Sequence, residues 1–204
     1  MTGRFFCLEG LDGTGKTTQC RLLAEWLRER GHQVIQAVDP GGTPVGQEIR
    51  HLLLTSRHHL TPTCEALLFM ASRAQLVEQV VRPALDAGHI VLCDRFITST
   101  LVYQGYAGGL DVEQLRAVTQ FVVPERFLPQ RIYLLDLPIE DARVRRNRQA
   151  DRIEQRGPDY HEKVRQGFLA EARRDPNRFC VVDAHGSIAA VQQRLRSDLA
   201  EWLR

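Results

Sequence analysis

Gly10-Leu11-Asp12-Gly13-Thr14-Gly15-Lys16-Thr17 is a full match to G-x-x-x-x-G-K-[ST], and the chemistry this spacing allows is phosphate binding. Glycines let the backbone turn tightly enough for successive N–H groups to face one anion. Lys16 can then reach the β- and γ-phosphates of a nucleotide, and the Thr17 hydroxyl can take a coordination position on Mg²⁺. A chance glycine turn is the competing reading, and the flanking residues decide against it. Residues 4–9 form a short apolar run, a buried strand; after the loop Leu22, Leu23, Trp26 and Leu27 recur at helical spacing as far as Gly31. Strand, glycine loop and helix together bring the positive end of a helix dipole to the same anion.

Other chemistry-bearing residues punctuate the rest of the chain. Asp94-Arg95 follows the apolar run 90–93. At the carboxyl end of a strand, that carboxylate can hold Mg²⁺ and the arginine can grip a phosphate through two hydrogen bonds; a structural Asp–Arg pair is the alternative. Phe69 and Arg73 stand four apart in a long helical pattern. They share a face where a ring and a guanidinium can hold a flat base, or they are a core Phe beside a surface Arg. Asp39-Pro40-Gly41-Gly42-Thr43-Pro44 closes a second strand, and it reads equally as a binding loop or as the turn any such strand needs. Residues 98–105 are dense in hydrogen-bonding groups. The stretch 142–158 carries most of the local charge, including Arg145, Arg146, Arg148 and Arg152. Composition alone makes it a solvated face. Its few apolar residues and the Gly157-Pro158 break predict instead a mobile flap, which beside a phosphate loop would close on a transferred phosphoryl group. His58-His59 reads as solvated loop, since adjacent histidines do not converge on one metal.

The elements that must position these groups alternate along the whole chain. Strands at 4–9, 33–38, 90–93, 131–137 and 179–182 are separated by helices at about 45–54, 61–85 and 111–122, then 159–174, with Ser187 capping a last one. The expected fold is α/β: a five-stranded parallel sheet wrapped by helices in three layers. Residues 1–204 are expected to form one domain with a lid at about 145–158. A formal net charge of +2 is too small to argue for a nucleic-acid surface. No apolar run approaches a membrane span and no leader precedes the first strand, so a cytoplasmic protein is expected. Five cysteines, an odd count without C-x-x-C, imply neither disulfides nor zinc. Lys16 and Lys163 are the only lysines, which makes the one inside the glycine loop harder to dismiss as surface decoration.

In this order the pieces resemble the bacterial thymidylate kinases of the P-loop nucleoside monophosphate kinase family. The matching stretches are residues 8–19, 39–43, 68–75, 94–96, 103–105, 151–155 and 182–184, and the likeness covers essentially the whole chain. The resemblance implies the reaction ATP + dTMP to ADP + dTDP, with Mg²⁺ at Thr17 and Asp94. By that resemblance ATP lies on Gly10, Gly13, Thr14, Gly15, Lys16, Thr17 and Thr18. For dTMP it implies Phe69 stacked on thymine, Arg73 and Gln104 on the base edge, Tyr103 beside the deoxyribose and Asp39 in the same pocket. Arg95 would hold the acceptor phosphate, and Asp12 would orient the 3′-hydroxyl and that phosphate. The family draws a transition-state arginine from its lid or its loop. This loop has none, which leaves Arg145, Arg146, Arg148 and Arg152 as candidates. A homodimer packed through the long helices is also implied, with no nucleic-acid or membrane partner. One departure matters: the family's second strand usually ends in an arginine before the acid, and here Val38 precedes a shorter Asp39. Met70, where an aromatic residue is common, is a milder one. Val38 keeps two alternatives open, a kinase for another nucleoside monophosphate and a nucleotide-binding protein without catalysis.

Overall fold

Apolar runs bounded by Gly and Pro become the strands, and amphipathic runs begun by Thr, Asp or Ser become the helices. The computed structural model of the chain describes residues 3–145 and 151–203. β1 (Arg4–Gly10) is buried from Phe5 onward and leads through the glycine loop into α1 (Lys16–Arg28). β2 (Val34–Val38) is followed by α2 (Pro44–Thr55), whose first turn is capped by the Thr43 hydroxyl accepting from Gly46 N–H. α3 (Pro62–Leu76) starts in the same way at Thr61-Pro62 and runs without a break through a wide turn, Val77–Val81, into α4 (Arg82–Asp86). The long helix expected to Leu85 is therefore one rod.

β3 (Ile90–Asp94) leads to α5 (Ile97–Thr100) and a second wide turn, Leu101–Tyr106, so the polar stretch 98–105 is helical. α6 (Val112–Val122), capped by Asp111, precedes β4 (Arg131–Asp136) and the short α7 (Ile139–Val144). α8 (Pro158–Arg174), β5 (Phe179–Asp183) and α9 (Ile188–Trp202), capped by Ser187, complete the chain.

The five strands are all parallel in the order β2-β3-β1-β4-β5, as the alternating pattern predicts. From β1 the chain crosses to one side, and from β3 it crosses back over to β4. Right-handed crossovers then put the two sets of helices on opposite faces: α1 packs with α9, and α5 with α8. Phe5, Phe6, Leu8, Leu92 and Tyr133 are fully enclosed between the layers. The reversal of strand order flanks β1, so the carboxyl ends of β1 and β3 open a crevice that helices do not cover.

Candidate active site

Both Gly10 and Gly15 meet needs that other residues cannot. Gly10 has φ 137°, and a Cβ there would stand 2.4 Å from the Leu135 carbonyl oxygen. Gly15, at φ 94°, is the left-handed residue from which α1 starts. Lys16 is buried and folds back on the loop, donating from Nζ to the carbonyls of Gly10 (3.0 Å) and Leu11 (2.7 Å). Burial and then the Arg95 charge pull its pKa down to about 8, against the opposing pull of Asp12, Asp94 and Glu9. The Thr17 hydroxyl donates to Asp94 Oδ2 at 2.5 Å. A hydroxyl and a carboxylate side by side at the loop are hard oxygen ligands suited to Mg²⁺. Among the described residues no group of three or more His, Cys, Asp or Glu side chains is placed to hold a metal ion by itself.

Beside this loop cleft lies a second, partly open one whose wall includes Phe69, Leu54 and Ile153 together with polar and charged side chains. Asp12, Asp39, Arg50 and Arg95 line both. Arg95 donates to Asp12 Oδ1 (2.5 Å), to the Gly10 carbonyl (3.1 Å) and to Ser99 Oγ (3.0 Å), while Tyr103 donates its hydroxyl to Asp12 Oδ2 (3.2 Å). Burial alone would raise the Asp12 carboxyl, but Arg95 and Lys16 outweigh it and hold Asp12 well below the usual carboxylate range.

Arg95 is left-handed, φ 67°, and is the only such non-glycine among the described residues. The turn brings Phe96 N–H (2.9 Å) and Ser99 N–H (3.2 Å) onto Glu9 Oε1, and the Ser99 hydroxyl (2.7 Å) onto Oε2. Glu9 is fully buried; that burial raises its pKa even though Arg95 and these donors oppose it. The sequence reading gave Glu9 no role. The signal was there, a carboxylate closing a strand that has to be buried.

Arg73 is not a surface residue. It is 1% exposed, and its Nε donates to Asp39 Oδ2 at 2.5 Å, with further bonds to the Phe96 carbonyl (3.1 Å) and Thr100 Oγ1 (2.9 Å). Asp39 Oδ1 is buried and has no partner among the described residues. Phe69, Arg73, Tyr103 and Gln104 all line the second cleft. The wide turn Leu101–Tyr106 makes this possible for Tyr103 and Gln104, since its extra residue lets consecutive side chains face one way.

The four lid candidates separate. Arg145 ends α7, lines the loop cleft and donates to the Ala184 carbonyl (2.9 Å) just past β5. Arg152 turns the other way, to the Leu53 carbonyl (2.9 Å) and the Glu65 carboxylate, beside the second cleft. Arg146 and Arg148 lie outside the described residues. Val38 leaves the loop cleft without a cation at its position, but Arg50 reaches in from α2, donating to the Pro40 carbonyl at 2.8 Å. The sequence reading missed Arg50, whose one visible mark is its place a helical turn after Gly46, where α2 meets the loop. His58 and His59 are exposed, and all five cysteines are free.

A family model described as Thymidylate kinase matches residues 8–195. The chain belongs to the thymidylate kinase family. Among its relatives is the thymidylate kinase of Clavibacter sepedonicus, 48% identical over 187 residues that cover 90% of this chain and 88% of that one. The thymidylate kinase of Exiguobacterium sibiricum is 44% identical over 207 residues, covering 100% of this chain and 97% of the relative. The crystal structure of thymidylate kinase from Ehrlichia chaffeensis superposes with a TM-score of 0.82 at 30% identity, covering 98% of this chain and all of that one. The family match spans the loop, Asp94-Arg95, the Phe69–Arg73 helix and the segment after Arg145, so every part of the two clefts lies inside it.

Proposed function

We propose that this chain transfers the γ-phosphoryl group of ATP to dTMP, giving ADP and dTDP. The observation that carries the reading is the pair of clefts, one at the phosphate loop and one lined by Phe69, Arg73, Tyr103 and Gln104, that share Asp12, Asp39, Arg50 and Arg95. Donor and acceptor phosphates entering from either side meet over that row of charges. Phosphoryl transfer needs alignment and charge neutralisation more than proton chemistry, and this arrangement supplies both. ATP phosphates take the N–H groups of Gly13 to Thr18 and the ammonium of Lys16. Thr17 and Asp94 would hold Mg²⁺, which neutralises phosphate charge when bound. Arg95 and Arg50 grip the acceptor phosphate, and Arg50 takes the place of the cation missing at Val38. Asp12, kept ionised by Arg95, accepts from the sugar 3′-hydroxyl, with Tyr103 packed beside the deoxyribose.

Phe69 stacks on the base and Arg73, which can only donate, faces its O4 oxygen. The segment 145–158 acts as the lid. Arg145 is its one described arginine at the loop, and Arg146 and Arg148 remain candidates for the transferred group. The chain works as a cytoplasmic homodimer without nucleic-acid or membrane partners. Support for the dimer comes from the exposed apolar residues Leu52, Leu67, Val118 and Phe121 on α2, α3 and α6. Among the described residues no helix is long and apolar enough to cross a membrane.

The test is ADP release from Mg²⁺-ATP against dTMP, dUMP, dCMP, dGMP, AMP and UMP. The expected result is the highest kcat/KM for dTMP. Preference for another monophosphate overturns the substrate, and ATP binding without turnover overturns the activity.

A further inference from the structure

Glu65 sits on α3 with its side chain 1% exposed, touching neither phosphate cleft. Its Oε1 accepts from Gln104 Nε2 at 2.8 Å and from Arg156 at 3.1 Å; its Oε2 accepts from Arg156 at 2.9 Å and from Arg152. Both oxygens of this buried carboxylate already accept from guanidinium N–H groups, which leaves it acceptor capacity and no donor to offer. Toward Gln104 it can therefore act only as an acceptor. A glutamine amide presents either a donor or an acceptor, exchanged by one rotation about its last bond. Here the neighbour decides which: the NH₂ must face Glu65, and the carbonyl oxygen is left for the cleft that Gln104 lines. Among the described residues nothing donates to that oxygen.

We propose that Glu65 is a specificity-positioning residue: it locks the Gln104 amide with its carbonyl toward the base, so that the site accepts a ring N–H and rejects a ring nitrogen lone pair. The proposal rests on the reading that the base lies against Gln104. Thymine and uracil carry an N–H at N3, whereas cytosine carries a lone pair there and an amino group in place of O4. Glu65 would thus turn an ambiguous amide into a one-way reader, the counterpart of Arg73. The supports of Glu65 are themselves fastened. Arg152 also donates to the Leu53 carbonyl (2.9 Å). Arg156 also donates to the Tyr160 hydroxyl (2.7 Å), which in turn donates to the carbonyl of Tyr103, the residue before Gln104 (2.7 Å). The described end of the 145–158 segment therefore holds the carboxylate in place from one side while Gln104 meets it from the other.

Glu65→Gln removes the direction, because the new amide can pair with either end of Gln104. The expected result is a rise in KM for dTMP of about tenfold, a smaller change in kcat, and an unchanged KM for ATP. The kcat/KM preference for dTMP over dCMP should fall by about tenfold or more, the scale expected when a buried hydrogen-bonding site loses its match. A purely structural ion pair would weaken both monophosphates alike, and an unmoved ratio overturns the proposal. Gln104→Ala separates the two layers of the argument. If it leaves the dTMP/dCMP ratio unchanged, the placement of the base against Gln104 fails, and this proposal with it. If Gln104→Ala collapses the ratio and Glu65→Gln does not, only the role of Glu65 fails. In the double variant the Glu65 change should have no further effect on the ratio, since the two act as one unit. Should Glu65→Gln not fold, Glu65→Asp keeps the charge for Arg152 and Arg156 while withdrawing the carboxylate by one methylene. The ratio should again fall, and an unmoved one overturns the proposal.

Discussion

The two clefts that meet at Asp12 and Arg95 are built by opposite means. The loop cleft is centred on one continuous stretch of backbone, the glycine loop, which gives it Asp12, Gly13, Gly15, Lys16 and Thr17 from consecutive turns of the chain. The second cleft is assembled from side chains far apart in the chain, drawn from the glycine loop, the segments just after β2 and β3, α2, α3, α5, the wide turn after it, and Asp151 and Ile153. Four of its charged members stand in interlocking pairs, the buried Arg73 with Asp39 and the part-buried Arg95 with Asp12. A backbone cradle keeps its shape when one side chain is lost. A side-chain cradle does not, because each removal strands a buried partner. The difference is open to direct attack.

The largest effect belongs to the loop. Lys16→Met should lower kcat by about 10³-fold, the scale on which one positioned cation acts on a transferred phosphoryl group. Binding of dTMP, measured by calorimetry, should hardly change. Damage to both substrates would show that the clefts are not independently built.

Arg95→Met comes next and attacks the shared boundary. It removes the proposed phosphate ligand and also strands Asp12, which loses its strongest counter-charge. We expect kcat/KM for dTMP to fall by about 10²-fold, with a lowered melting temperature, because a part-buried carboxylate then lacks its partner. If activity falls while the melting temperature stays, Arg95 serves ligand alone and the picture of interlocking pairs is wrong.

The third effect is one of pH. Lys16 is held at about 8 in the free protein by burial and by Arg95. Its ammonium is needed for the triphosphate, so kcat/KM for ATP, which reports the free enzyme, should fall as pH rises through about 8. Bound phosphates favour the charged form, so kcat at saturating ATP should hold to higher pH. A profile flat to pH 9.5 would mean that the fold does not lower Lys16.

The same contrast explains what could be read in advance. The loop, the parallel sheet and the position of Asp94-Arg95 follow from local spacing, since a strand that ends in a glycine loop and a helix declares itself within about 25 residues. Arg73 did not declare itself. Its helix spacing is compatible with a surface arginine, and its burial depends on Asp39, Phe96 and Thr100, which the fold alone brings near. Glu9 and Glu65 are charges in otherwise apolar surroundings, a visible oddity whose partners lie 87 or more positions away for Glu9 and 39 or more for Glu65. The arginines after α7 were visible as a cluster, but their directions were not: Arg145 lines the loop cleft whereas Arg152, seven residues on, turns to Glu65. Resemblance to the family supplied roles for Arg73 and Gln104 that spacing alone left open.

Val38 tests how finely the side-chain cleft is tuned, and the effect expected is the smallest. The resemblance leads one to look for an arginine at that position, yet Val38 lines the loop cleft without charge and Arg50, close to it beside Gly41, lines both clefts. If Arg50 already fills the role, Val38→Arg adds a second cation to an acceptor phosphate that is already matched. Some of its attraction is lost to repulsion from Arg50 and Arg95. The change in KM for dTMP should then be about twofold, the size of a partly screened charge interaction. In an Arg50→Ala background, where KM should have risen about tenfold for one lost charged hydrogen bond, the same substitution should recover most of the loss. A large gain in the native background, or no recovery in the Arg50→Ala one, would mean that the two positions are not interchangeable. The cation at Arg50 would then serve the Pro40 turn rather than the substrate.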